Sequence, residues 1–386
     1  MNSSQREAWI CLASVRGVGE EIFGTLLAAF GDPAGVLSSA LDGRLEAWVA
    51  QQRAMDGRPP LSGRTAANLR EAASNPGAAL REISDLSLWT TTPLDPDYPL
   101  RLRDLATPPA MINGLGDPAT LARPRAVGVV GTRRPTLAGR ALAAKICARL
   151  VECGATVVSG LAFGIDGAAH AATLDRDGIT VGVIGAGHGS PGVRAHARLR
   201  QEIVERGGAI ISEHHPSTTA TKGTYPRRNR IIAALSDAVI VVEAPRRSGA
   251  LNTANHALEL GRPVFVAPGR VGDWSTAGSL ALLRETPARP IAGLDELVSD
   301  LGYFEPSDIR HDRIGHAPAR GPALAMLGAA ERAVADRLCD GPAGLDLLVA
   351  QTGLPPGVVS GAITLLLMRG WIRAHGPAFV ASGPLT

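Results

Sequence analysis

The feature that most constrains this chain is a series of six short Val- and Ile-rich runs between residues 126 and 267. They are Ala126–Val130, Thr156–Ser159, Thr180–Ile184, Ala209–Ser212, Ala238–Glu243 and Pro263–Ala267. A strand with one face in water alternates apolar and polar residues, whereas a continuous apolar run has both faces covered. Six such runs separated by helical stretches specify a parallel sheet with helices on each side, a doubly wound α/β fold. Ligands of open parallel sheets bind beyond the carboxyl ends of the strands. Function is therefore to be sought in the loop at the carboxyl end of each run.

The first run leads into Gly131-Thr132-Arg133-Arg134-Pro135 and the second into Ser159-Gly160-Leu161-Ala162-Phe163-Gly164-Ile165-Asp166. The third ends in Gly185-Ala186-Gly187-His188-Gly189, and the fourth is followed by Glu213 and later by Lys222 through Arg230. The fifth leads to Arg246-Arg247-Ser248-Gly249-Ala250-Leu251-Asn252-Thr253. Glycine lets backbone amides approach an anion, and the helix next in the chain adds partial positive charge. Net charge is only +3, from 39 basic and 36 acidic residues, so the chain does not coat a polyanion through bulk charge. Yet eight basic residues, Arg133, Arg134, Lys222, Arg227, Arg228, Arg230, Arg246 and Arg247, fall in these loops. That predicts an anion pocket on one rim. Tyr225 sits among the cations, as in sites where bases stack on a ring while cations take phosphates. Arg227, Arg228 and Arg230 are expected to need an anion between them.

Other chemistries fit less well. The dinucleotide fingerprint needs Gly-x-Gly-x-x-Gly after the first strand, and Gly131-Thr132-Arg133 lacks the second glycine. Gly-x4-Gly-Lys-Ser/Thr is absent. Ser159, Asp166, His170 and His256 lack the Gly-x-Ser-x-Gly elbow of a hydrolase, and Asp166 is expected to cap the helix that carries His170. The four cysteines form no Cys-x-x-Cys pair, which reads as buried reduced thiols in a cytoplasmic protein. No metal, cofactor, secretory signal or membrane span is expected.

Residues 1–82 read as short helices with a Val15-Arg16-Gly17-Val18-Gly19 turn. We take it as a packing turn, with a phosphate-binding helix-hairpin-helix turn as the alternative. Residues 83–304 form the α/β domain, and 305–322, polar and Pro/Gly-containing, a linker. In 323–386, helices at Glu331–Cys339, Leu345–Gln351 and Val358–Arg369 precede a β-wing of Trp371–Arg373 and Phe379-Val380, a winged-helix pattern. The recognition helix has Arg369 as its one basic residue, which favours protein contact over duplex reading; Arg373 and His375 leave a minor DNA role open.

The central motifs resemble the DNA-processing protein A (DprA/Smf) family. The resemblance is carried by Val129-Val130-Gly131-Thr132-Arg133, Val157 through Asp166, Ala168-Ala169-His170 and Ile211-Ser212-Glu213. It continues in Tyr225-Pro226-Arg227-Arg228-Asn229-Arg230, Val242-Glu243-Ala244, Ser248 through Ala254 and Val266-Ala267-Pro268-Gly269. It implies an extended Rossmann-like domain between a sterile-alpha-motif-like N-terminus and a winged helix. The implied protein is no enzyme. It binds single-stranded DNA, protects incoming DNA in natural transformation, loads RecA recombinase and dimerises through the Rossmann domain. The implied site is Gly131, Thr132, Arg133, Ser159, Gly160, Lys222, Tyr225, Arg228, Asn229, Arg230, Ser248, Gly249 and Thr253. Thr132 stands where the family has Ser, and Tyr225 where it usually has Phe. The tyrosine expected after the third strand's Gly-x-Gly is missing, and Ser275–Leu280 diverges. The competing reading is a nucleotide phosphoribohydrolase on a related fold, but the Ser248–Thr253 loop has no acid until Glu259. A winged-helix regulator is a third.

Overall fold

Six helices open the chain: α1 (Ser3–Ser14), α2 (Glu20–Phe30), α3 (Pro33–Leu41), α4 (Arg44–Asp56), α5 (Gly63–Ser74) and α6 (Ala78–Asp85). They close around Leu12, Phe23, Leu26, Val36, Leu45 and Leu69, all buried. Asp32 accepts a hydrogen bond from the Gly35 amide at 2.7 Å and Ser62 one from Thr65 at 3.0 Å, fixing where α3 and α5 begin. The turn at 15–19 is tied down by Asn68, whose Nδ2 donates to the Arg16 carbonyl at 2.7 Å. The computed structural model describes residues 3–56, 60–191, 196–220, 223–303, 327–339, 341–375 and 378–381. Lys222 and the linker 305–322 lie outside the described residues, as does the side chain of His375.

The α/β region comes next as β1 (Trp89–Thr91), β2 (Ile112–Gly116), β3 (Ala126–Val130), α7 (Leu137–Glu152), β4 (Thr156–Ser159) and α8 (Ile165–Leu174). Then come β5 (Thr180–Val183), α9 (Ala197–Glu205), β6 (Ala209–Ser212), α10 (Thr224–Leu235), β7 (Ala238–Val241) and α11 (Gly249–Glu259). The last elements are β8 (Val264–Val266), α12 (Ala277–Glu285), β9 (Arg289–Pro290) and α13 (Leu294–Asp300). All six apolar runs contain strands; three match at both ends, those from 180 and 238 end one and two residues early, and Pro263–Ala267 is trimmed by one residue at each end. The sheet has nine strands in the order β1-β2-β6-β5-β4-β3-β7-β8-β9. It is mixed, because β2 pairs antiparallel with β6, and β1 with β2; β3 to β9 run parallel.

Alternation along β3 separates the two faces. Ala126 and Val130 pack with Ile231, Ile232 and Leu235 of α10 and Ala250, Ala254 and Ala257 of α11. Val127 and Val129 pack with Ala143, Ile146 and Leu150 of α7 and Ile165 and Ala169 of α8. Pairing Val127 with Val157 and Val129 with Ile240 aligns the strand ends along one edge. From β3 the chain builds outward through β4, β5 and β6 on one side, then returns to add β7, β8 and β9 on the other. The order reverses between β3 and β7. Strands either side of a reversal send their loops apart and open a crevice.

Residues 1–304 form one compact unit and 305–386 a second. The second contains α14 (Ala329–Cys339), β10 (Ala343–Gly344), α15 (Leu345–Thr352), α16 (Pro356–Met368), β11 (Ile372–His375) and β12 (Ala378–Ala381). Its helices bury Val334, Leu338, Leu348, Val359, Ile363 and Leu366 against one another. The wing gains a short third strand, giving β10-β12-β11, that the sequence did not reveal. No single helix among the described residues is long and apolar enough to cross a membrane.

Candidate functional site

A cleft of about 820 Å³ opens at the β3/β7 reversal. Its walls are the loop after β3 (Gly131, Thr132, Arg133, Arg134), the start of α10 (Tyr225, Arg228, Asn229) and the loop after β7 into α11 (Arg247, Ser248, Gly249, Asn252, Thr253). Gly131 is required: a Cβ there would lie 2.5 Å from Ile165 Cγ1. The Thr132 amide donates to the Glu243 carbonyl at 2.7 Å, and its Oγ1 accepts from the Arg134 amide at 3.2 Å, so the loop is held from both sides. The exposed Arg133 guanidinium lies over the Tyr225 ring, 5.1 Å from its centroid, a stacked cation–π pair. Ser248 caps α11, and its N-terminus points partial positive charge at the cleft. Asn229 ties that end to α10, donating to the Gly249 carbonyl and to Asn252 Oδ1, each at 3.1 Å.

Several residues expected on the rim are elsewhere. Ser159 is buried and its Oγ donates to the Val129 carbonyl at 2.6 Å, tying β4 to β3. Gly160 lines a smaller neighbouring cavity, not the main cleft. Arg228 is not a free rim cation. It is buried, and its guanidinium donates to the Gly160 and Val183 carbonyls and, at 3.2 Å, to Asn229 Oδ1. Gly160 has to be glycine, since a Cβ would sit 2.5 Å from Arg228 Nη2 and 2.6 Å from Asp166 Oδ2. Asp166 does not cap α8, whose N-cap is Gly164. Burial raises the Asp166 carboxyl, with the Arg228 charge acting against the shift. His170 is fully buried behind β4 and β5 and does not line the cleft. Thr180 Oγ1 donates to the Val157 carbonyl, so it accepts from His170 Nδ1–H at 2.7 Å, and burial drives this imidazole down to about 3.

Arg227 and Arg230 correct the expectation that the basic run needs an outside anion. Glu20, the first residue of α2, reaches both guanidiniums, and Arg230 also binds Glu213 at the end of β6. The Glu20 carboxylate fills that role, with the Glu213 carboxyl as a further acceptor for Arg230. What remains at the edge is Arg133, Arg134, Arg246 and Arg247, all exposed and none with a carboxylate partner among the described residues.

Residues 89–302 match the family model for DNA recombination-mediator protein A, and 317–376 that for the DprA winged helix domain. Protein Smf of Synechocystis is 34% identical over 307 residues, covering 78% of this chain and 74% of its own. The DNA processing protein DprA of Bacillus subtilis is 38% identical over 204 residues, 53% of this chain and 68% of its own.

The chain belongs to the DNA recombination-mediator protein A family.

The solved DprA of Streptococcus pneumoniae matches 70% of this chain and 96% of its own, with TM-score 0.55 at 30% identity. In this DprA-family chain the motif residues divide into two sets. Gly131, Thr132, Arg133, Tyr225, Arg228, Asn229, Ser248, Gly249 and Thr253 line the cleft. Ser159, Gly160 and Arg230 hold its frame. Two aromatics beside the cleft escaped the sequence reading: Phe163, 59% exposed, and Trp274, 67% exposed. Large rings left in water at strand ends were the available signal.

The buried ionisable groups set a pH profile for this DprA-family fold. Burial, with the hydrogen bond to Glu20 adding to it, pushes Glu213 up to about 8. The folded state keeps a proton there that the unfolded chain has released, so the stability this group contributes is lost as pH rises from about 4.5 to about 8. Burial drives His170 to about 3, and His188 and His214 to about 4. These take up protons only on unfolding, so unfolding free energy also falls as pH drops below 6.5. Urea unfolding across pH should show maximum stability near 6.5. Glu213→Gln should flatten the alkaline limb above 6.5 and steepen the acid limb between about 4.5 and 6.5, where Glu213 opposes the histidines; an unchanged alkaline limb would refute the assignment.

Proposed function

We propose that the β3/β7 cleft binds single-stranded DNA. The observation that carries this is the Arg133–Tyr225 stack at the mouth of a cleft edged by arginines without carboxylate partners. A flat ring takes a base and cations take phosphates, a combination suited to an unpaired strand because a duplex hides its base faces. The carboxylates near the cleft are engaged: Asp166 accepts from the Ala162 amide, and Glu243 accepts from Thr136 Oγ1 at 3.0 Å. That supports a binder over a catalyst.

We place this binding in recombination, where the chain covers incoming single strands during natural transformation and passes them to a RecA-type recombinase. It acts in the cytoplasm as a homodimer joined through its α/β unit, and needs no cofactor. Relatives named as DNA processing proteins support the reading. In the winged helix, Arg369 pairs with Glu331 at 3.1 Å, while Val358, Leu365 and Met368 of α16 are exposed, which supports protein contact there.

The test is equilibrium binding of a labelled dT oligonucleotide against a duplex of equal length. With four arginines neutralising phosphates, log K should fall with log salt at a slope of roughly −2.8, from about −0.7 per phosphate on single strands. Equal binding of the duplex would refute the reading.

A further inference from the structure

We propose that Phe163 and Trp274 are base-stacking platforms at the two ends of a nucleic-acid path crossing the carboxyl edge of the sheet. The proposal rests on the single-strand reading above and extends it from a pocket to a track. Four neighbouring strands are β4, β3, β7 and β8. The loops after them carry, in that order, Phe163, the pair Arg133-Arg134, the pair Arg246-Arg247 and Trp274. At about 4.8 Å per strand, the three steps from β4 to β8 span roughly 14 Å. Ring, cations, cations, ring is the pattern an extended strand meets when its bases stack at both ends and its phosphates are neutralised between.

The two cavities adjoin in the same sense. The main cleft is lined by Trp274, Tyr225 and Arg133. The smaller cavity, about 220 Å³, is lined by Phe163 and again by Tyr225 and Arg133. The stacked pair is a shared wall between two spaces, each also lined by an exposed ring.

Both rings are held in place. Leu161, before Phe163, has a left-handed backbone (φ 53°) and buries its side chain among Ile184, Ile203 and Ile210. The Phe163 ring also rests on His196, with centroids 4.3 Å apart. The segment carrying Trp274 is anchored from behind: the Gly278 and Ser279 amides donate to the Ala244 carbonyl at 2.9 and 3.0 Å, and Ser279 Oγ accepts from the Ala244 amide at 3.1 Å. A loop so fixed keeps its indole out at little further entropic cost to binding.

The test uses the full chain and a labelled dT oligonucleotide. Of the five tryptophans, Trp9, Trp48, Trp89 and Trp371 are half-buried and Trp274 is exposed, so the part of the intrinsic fluorescence lost in Trp274→Phe reports on it. The oligonucleotide should quench that fluorescence. Trp274→Phe should abolish the quench while keeping most of the affinity. Trp274→Ala and Phe163→Ala should each weaken binding roughly tenfold, with unchanged urea midpoints. Binding that is lost in Arg133→Ala but indifferent to Trp274→Ala or to Phe163→Ala overturns the track and leaves the single-strand reading standing. No binding by the wild-type chain overturns both.

Discussion

Replacing Arg133 by alanine should lower affinity for a dT oligonucleotide by roughly 30- to 150-fold. A charge-assisted hydrogen bond is worth about 1.5–3 kcal/mol, and with about 0.5 kcal/mol more for an exposed cation–π contact at the lower end a loss of about 2–3 kcal/mol gives that range at about 1.4 kcal/mol per tenfold. The effect should exceed that of Arg134 or Arg247, because Arg133 alone among the edge cations also lies on the Tyr225 ring. Arg133→Lys should recover only part of the loss, since an ammonium keeps the charge but not the planar stack. The salt slope should become shallower by about 0.7, one phosphate fewer. An affinity within threefold of wild type would show that the phosphate is held elsewhere.

Arg228→Ala should act on stability before it acts on binding. Its guanidinium donates to the Gly160 and Val183 carbonyls and to Asn229 Oδ1, and it offsets the buried Asp166 carboxyl. Removing a buried charged donor typically costs about 1–3 kcal/mol for each buried acceptor it leaves unsatisfied. Urea unfolding should show a loss of that size, and adding Asp166→Asn should restore part of it because the stranded carboxyl is gone. Equal losses in the single and double variants would mean that Arg228 acts through its carbonyl bonds alone. Because Gly160 leads into Leu161–Phe163, a weakened Arg228 also loosens a loop that borders the cleft.

How legible the fold was depended on burial. The six core strands were readable because both of their faces are covered, which leaves continuous Val/Ile runs. β2, reading Ile112-Asn113-Gly114-Leu115-Gly116, has two glycines and a polar residue, and Trp89 packs where a Gly114 side chain would stand. Its register comes from pairing with β6, not from its own propensity. β9 is two residues long and includes a proline. The cleft was legible at Gly131–Arg133 and Ser248–Thr253 because strand-end loops before helices have few uses. The basic run Arg227–Arg230 was misread because charge in a sequence carries no sign of its partner. Glu20 lies 207 residues from Arg227, and only the fold brings them together. Arg228 differs from its neighbours only in pointing inward, as its place on α10 decides. Trp274 lies between the Val266–Gly269 motif and the divergent segment Ser275–Leu280, so no family motif covered it.

The clamp that Glu20 places on Arg227 and Arg230 has an evolutionary corollary. Residue 20 and residues 227 and 230 are coupled: losing the acid leaves Arg227 without a carboxylate partner and Arg230 with Glu213 alone, and losing both cations leaves a mostly buried acid without a counter-charge. A descendant that shed α2 would have to replace both arginines, or inherit a more basic and less discriminating edge.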